Sequence, residues 1–166
     1  VVHGRTRADG YKKEKIDYDA IAHIKQNVPM PLIANGEIDS VEKAQKVLEH
    51  TGANGVMIGR AAITSPWIFW QIRNNTHEIP PIVKKELVLE HFNKMIEFYG
   101  ERGAIMFRKN LHAYTKGHEG ASEFRNLINS LSDVKQITQH IENFFSHNQM
   151  VTHNFPQLVH LNKRTS

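Results

Sequence analysis

The 166-residue chain contains no cysteine. Disulfides, thiolate metal sites and a cysteine nucleophile are thereby excluded from it. It has no run of about 18 apolar residues, so no membrane-crossing helix is expected. Its first residues resemble neither a signal peptide nor a basic transit segment, and the expected compartment is the cytoplasm. A block of one charge is also missing. With 21 Lys and Arg against 17 Asp and Glu, the net charge of +4 is spread along the chain. This balance permits an RNA partner without demanding one. The 11 histidines lack the spacing of a ligand set, and no metal site is expected. What is present is a globular composition, 40% hydrophobic and 23% charged, sufficient for one domain or two small ones.

The first half alternates. "VVHGRT" reads as a strand already in progress, as if the chain began in the middle of a fold. A Gly- and Lys-rich loop, "ADGYKKEK", follows. Ile16, Ala20, Ile21 and Ile24 then fall at helical spacing up to Pro29. "PLIANG" reads as a short strand buried on both faces, "SVEKAQKVLEHTG" as a helix with Asp39 or Ser40 as N-cap and Gly52 as stop, and "GVMIGR" as a third strand. Strands separated by helices predict a parallel sheet. Near Asn74–Thr76 and Pro80–Pro81 the texture becomes that of a linker, and helical periodicity dominates from there. Val83, Leu87, Phe92, Ile96 and Phe98 or Tyr99 mark one face of the first helix of a small bundle. Residues 147–166 have weak periodicity and are expected to form a loose tail.

Two strand ends share a feature. Asn35-Gly36 closes the second strand and Gly59-Arg60 the third. In both, glycine allows close backbone approach by a ligand while the following helix presents its first N–H groups. Arg60 adds a forked, permanently charged donor. Such a pair suits a phosphate, and in a (β/α)8 barrel phosphate is often held after the last two strands. Two ordinary turn glycines and a solvated arginine fit the same residues. His3, near the end of the first strand, reads either as a satisfied polar residue or as a ligand contact.

Taken together, "HGRT", "IANGEI" and "GVMIGRAAITSPWIF", followed by "FRKN" and "FRNLIN", resemble the flavin-dependent tRNA-dihydrouridine synthases, with greatest similarity to their bacterial B-type branch. The resemblance covers residues 1–146. It implies an α/β fold: the C-terminal portion of a (β/α)8 TIM barrel over residues 1–79, then a small all-α, tRNA-binding domain over 80–146. The implied activity is reduction of uridine in tRNA to 5,6-dihydrouridine, with FMN as cofactor and NADPH as electron donor. His3 stands at the family's flavin-proximal histidine, Asn35, Gly36 and Glu37 at its Asn-Gly-Asp, and Gly59 and Arg60 at its phosphate-binding Gly-Arg.

Two positions depart from that pattern. Glu37 replaces Asp, so a backbone contact carries over while a side-chain role stays open, and Asn110 stands where the family typically has His after Arg-Lys. The resemblance also places the proton-donating Cys in the first part of the barrel, so no catalytic residue is expected in this chain. Arg108, Lys109, Lys116 and Arg125 are candidates for tRNA contacts, with solvated helix faces as the alternative reading. Three strands cannot close a barrel. The chain is therefore expected to be a fragment, inactive alone, whose open sheet edges pair with the missing half of the barrel or with another copy. Two other readings remain open: a non-catalytic RNA-binding or structural module, and another phosphate-binding flavin barrel such as an orotate-reducing one.

Overall fold

Parallel strands cannot be joined by a tight hairpin, and the helices between the apolar runs set the topology accordingly. The computed structural model describes residues 1–6, 8 and 16–152. Strands β1 (Val2–His3), β2 (Ile33–Asn35) and β3 (Gly55–Met57) form a parallel sheet in that order. His3 lies opposite Asn35, and Asn35 opposite Met57. The expected three parallel strands with intervening helices are therefore present. Most of the Gly- and Lys-rich loop, residues 9–15, and the tail beyond Thr152 lie outside the described residues.

Local chemistry sets the helix limits. Helix α1 (Tyr18–Asn27) starts where the Asp17 side chain accepts from the Ala20 N–H. In α2 (Val41–Thr51) Ser40 accepts from Lys43 N–H, and Gly52, at φ 64°, ends the helix with its own N–H on the Leu48 carbonyl. After β3 come α3 (Arg60–Thr64) and α4 (Ile68–Asn74). They are separate because Ser65 precedes Pro66, whose ring disfavours helical backbone at the residue before it.

Ile21, Leu32, Ala34, Ile38, Ala44, Val47, Ile58 and Ile68 form one core. The strand 31–34 was expected to be buried on both faces, and it is not. Leu32 and Ala34 are buried, whereas Pro31 is exposed and Ile33 half-buried. Side chains alternate along a strand, and only the face toward the helices is covered among the described residues. Helix α1 is likewise narrower than its spacing suggested, with Ile21 buried and Ile24 exposed.

The second half comprises α5 (Pro81–Tyr99), α6 (Arg102–Tyr114), α7 (Ala121–Ser130) and α8 (Val134–Thr152), so helix extends past the expected tail boundary at residue 147. The chain divides into two compact units: residues 1–80 with 109–116, and residues 81–108 with 117 onward. In the first, the Tyr114 ring meets Trp67 edge-on at 5.5 Å. In the second, α5 packs along α8, and Val88, Phe92, Phe107, Phe124, Ile128, Ile137, Ile141 and Phe145 are buried. Val88 and Phe92 carry the buried face of α5. Phe98 or Tyr99 was expected on it, and both are exposed, at 79% and 46%. Among the described residues no helix is long and apolar enough to cross a membrane.

Two features of the helical unit give measurable consequences. A Cβ built on Gly103 would lie 2.2 Å from the Met95 carbonyl oxygen, so α6 meets α5 where only glycine fits. Gly103→Ala should lower the free energy of unfolding by about 1–3 kcal/mol, read by urea denaturation; an unchanged midpoint would contradict this close packing.

Lys84 is largely buried, with Nζ 2.7 Å from His118 Nε2 and 6.0 Å from the centre of the Phe145 ring. Burial pulls its pKa down to about 8 from 10.5. As pH rises from about 8 to 10.5 the folded chain releases a proton that the unfolded chain keeps, so this lysine favours folding increasingly across that window. The native chain should therefore gain stability relative to Lys84→Met between those limits. A pH-independent difference in urea would refute the buried lysine.

Candidate functional site

Equal register brings the ends of all three strands to one level, and a cleft of about 570 Å³ opens there. His3, Arg5, Asn35, Glu37, Gly59 and Arg60 line it, with Asp39, Thr64 and Ser65 among the other lining residues. At the end of β1, His3 Nδ1 accepts from the Arg5 N–H at 3.0 Å. In a neutral ring this places the proton on Nε2, which is then a donor. Across β2, Asn35 Nδ2 lies 3.6 Å from the Met57 sulfur.

The turn after β2 has an unusual backbone. Gly36 has φ 141° and Glu37 φ 48°, both in the region L side chains rarely adopt. A side chain at position 36 would also crowd Ile16, whose Cδ1 lies 3.1 Å from the Cβ position. Tyr18 Oη donates to the Gly36 carbonyl at 2.6 Å. Burial, and then the nearby Asp39 charge, raise the Tyr18 pKa against the opposing pull of Arg5, so the hydroxyl keeps its proton.

Glu37 turns its carboxylate to two guanidinium groups. Arg5 Nη2 donates to Oε1 at 2.9 Å, and Arg60 Nη2 pairs with the same oxygen. The side chains of Arg5 and Glu37 are 6% and 9% exposed, whereas that of Arg60 is 60% exposed. A buried pair therefore underlies a solvent-facing cation. Gly59 separates β3 from α3, and a Cβ there would meet no protein atom within 4 Å. Helix α3 has only five residues, too short for a substantial dipole, so positive charge at this end comes from Arg60.

The cleft thus collects His3, Asn35, Glu37, Gly59 and Arg60, with Gly36 forming the turn between two of them. Arg5 was missed by the sequence reading. Its signal was its place in "HGRT", two residues past the histidine at the strand end. Of the four basic candidates for RNA contact, Lys109 and Lys116 are exposed and belong to the first unit, while Arg108 and Arg125 are half-buried in the second. Arg108 Nη2 donates to the Leu131 carbonyl at 2.6 Å, closing the end of α7. Asn110 hydrogen-bonds Tyr114, whose pKa is raised by burial and lowered in part by that bond.

Comparison with known proteins gives a consistent answer. Residues 1–150 match the family model described as "Dihydrouridine synthase (Dus)". A Helicobacter pylori (strain J99) protein named "Probable tRNA-dihydrouridine synthase" is 59% identical over 165 residues, covering 99% of this chain and 50% of the relative. The "tRNA-dihydrouridine synthase B" of Vibrio parahaemolyticus is 44% identical over 151 residues, covering 87% and 47%. That of Pseudomonas syringae pv. tomato is 45% identical over 152 residues, covering 87% and 45%. The chain spans about half the length of these curated relatives. A family match across nine-tenths of the sequence, with relatives this similar, establishes that the chain belongs to the dihydrouridine synthase family.

Proposed function

We propose that this chain is the C-terminal part of an FMN-dependent tRNA-dihydrouridine synthase: the end of a TIM barrel that holds the flavin phosphate, followed by a helical domain that contacts tRNA. The observation that carries this reading is the convergence of Gly59 and Arg60 with His3, Asn35 and Glu37 on one cleft at three consecutive strand ends. The residues fit a phosphate-bearing flavin. At Gly59 the space a Cβ would take is open, which permits close backbone approach, and Arg60 offers an exposed fork of donors.

When bound, FMN supplies hydride chemistry between NADPH and the 5,6-double bond of uridine. The protein's part is to bind and orient. Gly59 and Arg60 would hold the phosphate, the backbone of Asn35, Gly36 and Glu37 would border the flavin, and His3 would offer its Nε2–H as a donor. The chain has no cysteine, so the proton for the second carbon of the uracil ring would come from the remainder of the enzyme. The remaining barrel strands would pair with the outer edges of β1 and β3.

On the RNA side, the target base has to leave its stack, at a cost of a few kcal/mol that protein–tRNA contacts offset. Of the four candidates, Lys109 and Lys116 are exposed and would meet RNA phosphates. Arg125 adds a half-buried one, and Arg108 contributes with a guanidinium already engaged at Leu131.

The chain alone should form little or no dihydrouridine when given tRNA, FMN and NADPH. Robust product from the pure chain would refute an external proton donor. In a full-length form, Gly59→Val should lose FMN almost completely. Arg60→Ala should bind it roughly 10- to 100-fold more weakly, the equivalent of a charge-assisted hydrogen bond worth about 1.5–3 kcal/mol. Unchanged FMN affinity in both variants, with circular dichroism intact, would return these residues to an ordinary turn glycine and a surface arginine.

A further inference from the structure

Glu37 lines the cleft between two arginines. Its backbone is left-handed without being glycine, its side chain is nearly inaccessible, and its Oε1 receives both the buried Arg5 and the exposed Arg60. The two arginines differ in what an exchange of partner would cost. Arg5 and Glu37 are both desolvated, so separating them would leave a buried charge uncompensated. Arg60 is more than half in water and can change partner cheaply.

We propose that Glu37 is an internal competitor that holds Arg60 in place of a ligand phosphate and thereby tunes down the affinity of the cleft for phosphate esters. A phosphate ester draws Arg60 away, while Arg5 retains Glu37. The inference rests on the reading of this cleft as a phosphate-bearing flavin site. Its consequence is a cost borne only by ligands that carry a phosphate. A dianionic phosphate has to displace a carboxylate from the guanidinium, whereas a flavin without phosphate leaves the Arg60–Glu37 pair in place and bears no such cost. From its turn the Glu37 carboxylate meets both arginines at one oxygen. Asp39 lines the same cleft and adds negative charge, which makes it the natural control.

The test uses the full-length enzyme carrying this sequence, with inorganic phosphate, FMN and riboflavin as probes in calorimetric titrations. Glu37→Gln, nearly isosteric and uncharged, should tighten phosphate and FMN binding by about 5- to 20-fold and leave riboflavin unchanged, and the gain should vanish in an Arg60→Ala background. Should Glu37→Gln fold poorly, Arg60→Ala alone serves in its place: it should abolish the phosphate shift and weaken FMN while leaving riboflavin unchanged, and equal weakening of both flavins overturns the proposal. Nitrogen-15 spectra of the native protein add a readout independent of any variant: inorganic phosphate should shift the Arg60 Nε resonance and leave that of Arg5 in place.

The proposal is overturned if Glu37→Gln leaves the FMN-to-riboflavin ratio unchanged, if it weakens both flavins equally, or if Asp39→Asn alone gives the same gain. It also fails if phosphate leaves Arg60 Nε unmoved. Failure of the flavin reading looks different. In that case neither flavin binds the native protein, yet inorganic phosphate still shifts Arg60, and Glu37→Gln still strengthens the phosphate effect.

Discussion

The shared register of three parallel strands is the constraint on which the candidate site depends. Because His3 stands opposite Asn35 and Asn35 opposite Met57, the chain leaves the sheet at one level three times. Each exit then delivers its first residues to the same cleft. A slip of one residue in any strand would turn its side chains to the other face. Ala34, fully buried against the helices, prevents such a slip in β2, because its neighbours Ile33 and Asn35 would have to replace it in the core.

The turn at Gly36 and Glu37 illustrates how one conformational cost is met by several contacts. A left-handed residue other than glycine costs about 1–2 kcal/mol. Removing one member of a buried ion pair costs about 3–5 kcal/mol. Relaxing the turn by withdrawing Glu37 from Arg5 would therefore cost more than the strain it relieved, and the Tyr18 hydroxyl donates to the preceding carbonyl. Arg5 lies 32 residues before its partner and Tyr18 lies 18 residues before Gly36. The turn is consequently a product of tertiary structure as much as of its own sequence.

That separation explains what could be read from the sequence. The three strands, the Ser40 cap and the Gly52 stop are encoded within a few residues, so periodicity and turn chemistry disclose them. Glycine at Gly36 and Gly59 likewise marks the strand ends locally. The side-chain role of Glu37 was not legible, because nothing in "ANGEI" specifies an arginine at position 5 or 60 as its partner. Burial was also overread. "PLIA" resembles a strand covered on both sides, and the spacing of α5 extends its apolar face to Phe98 or Tyr99, but a run of apolar residues says nothing about which neighbours reach it. Arg108 illustrates the same limit for charge. Its guanidinium contacts Leu131, a partner that composition does not reveal.

Charge placement within the first unit has a further logic. The cleft contains Arg5 and Arg60 but also Glu37 and Asp39, so without a ligand its formal charges nearly cancel. A cleft carrying two uncompensated cations would attract any polyanion, including the phosphate backbone of a nucleic acid. With the carboxylates present, the long-range attraction is weak, and what remains is local: open space at Gly59 and an exposed Arg60 already paired with Glu37. Lys109 and Lys116 belong to the same unit and do not line this cleft, so cations able to meet a polyanion are separate from those able to meet a small phosphate ester.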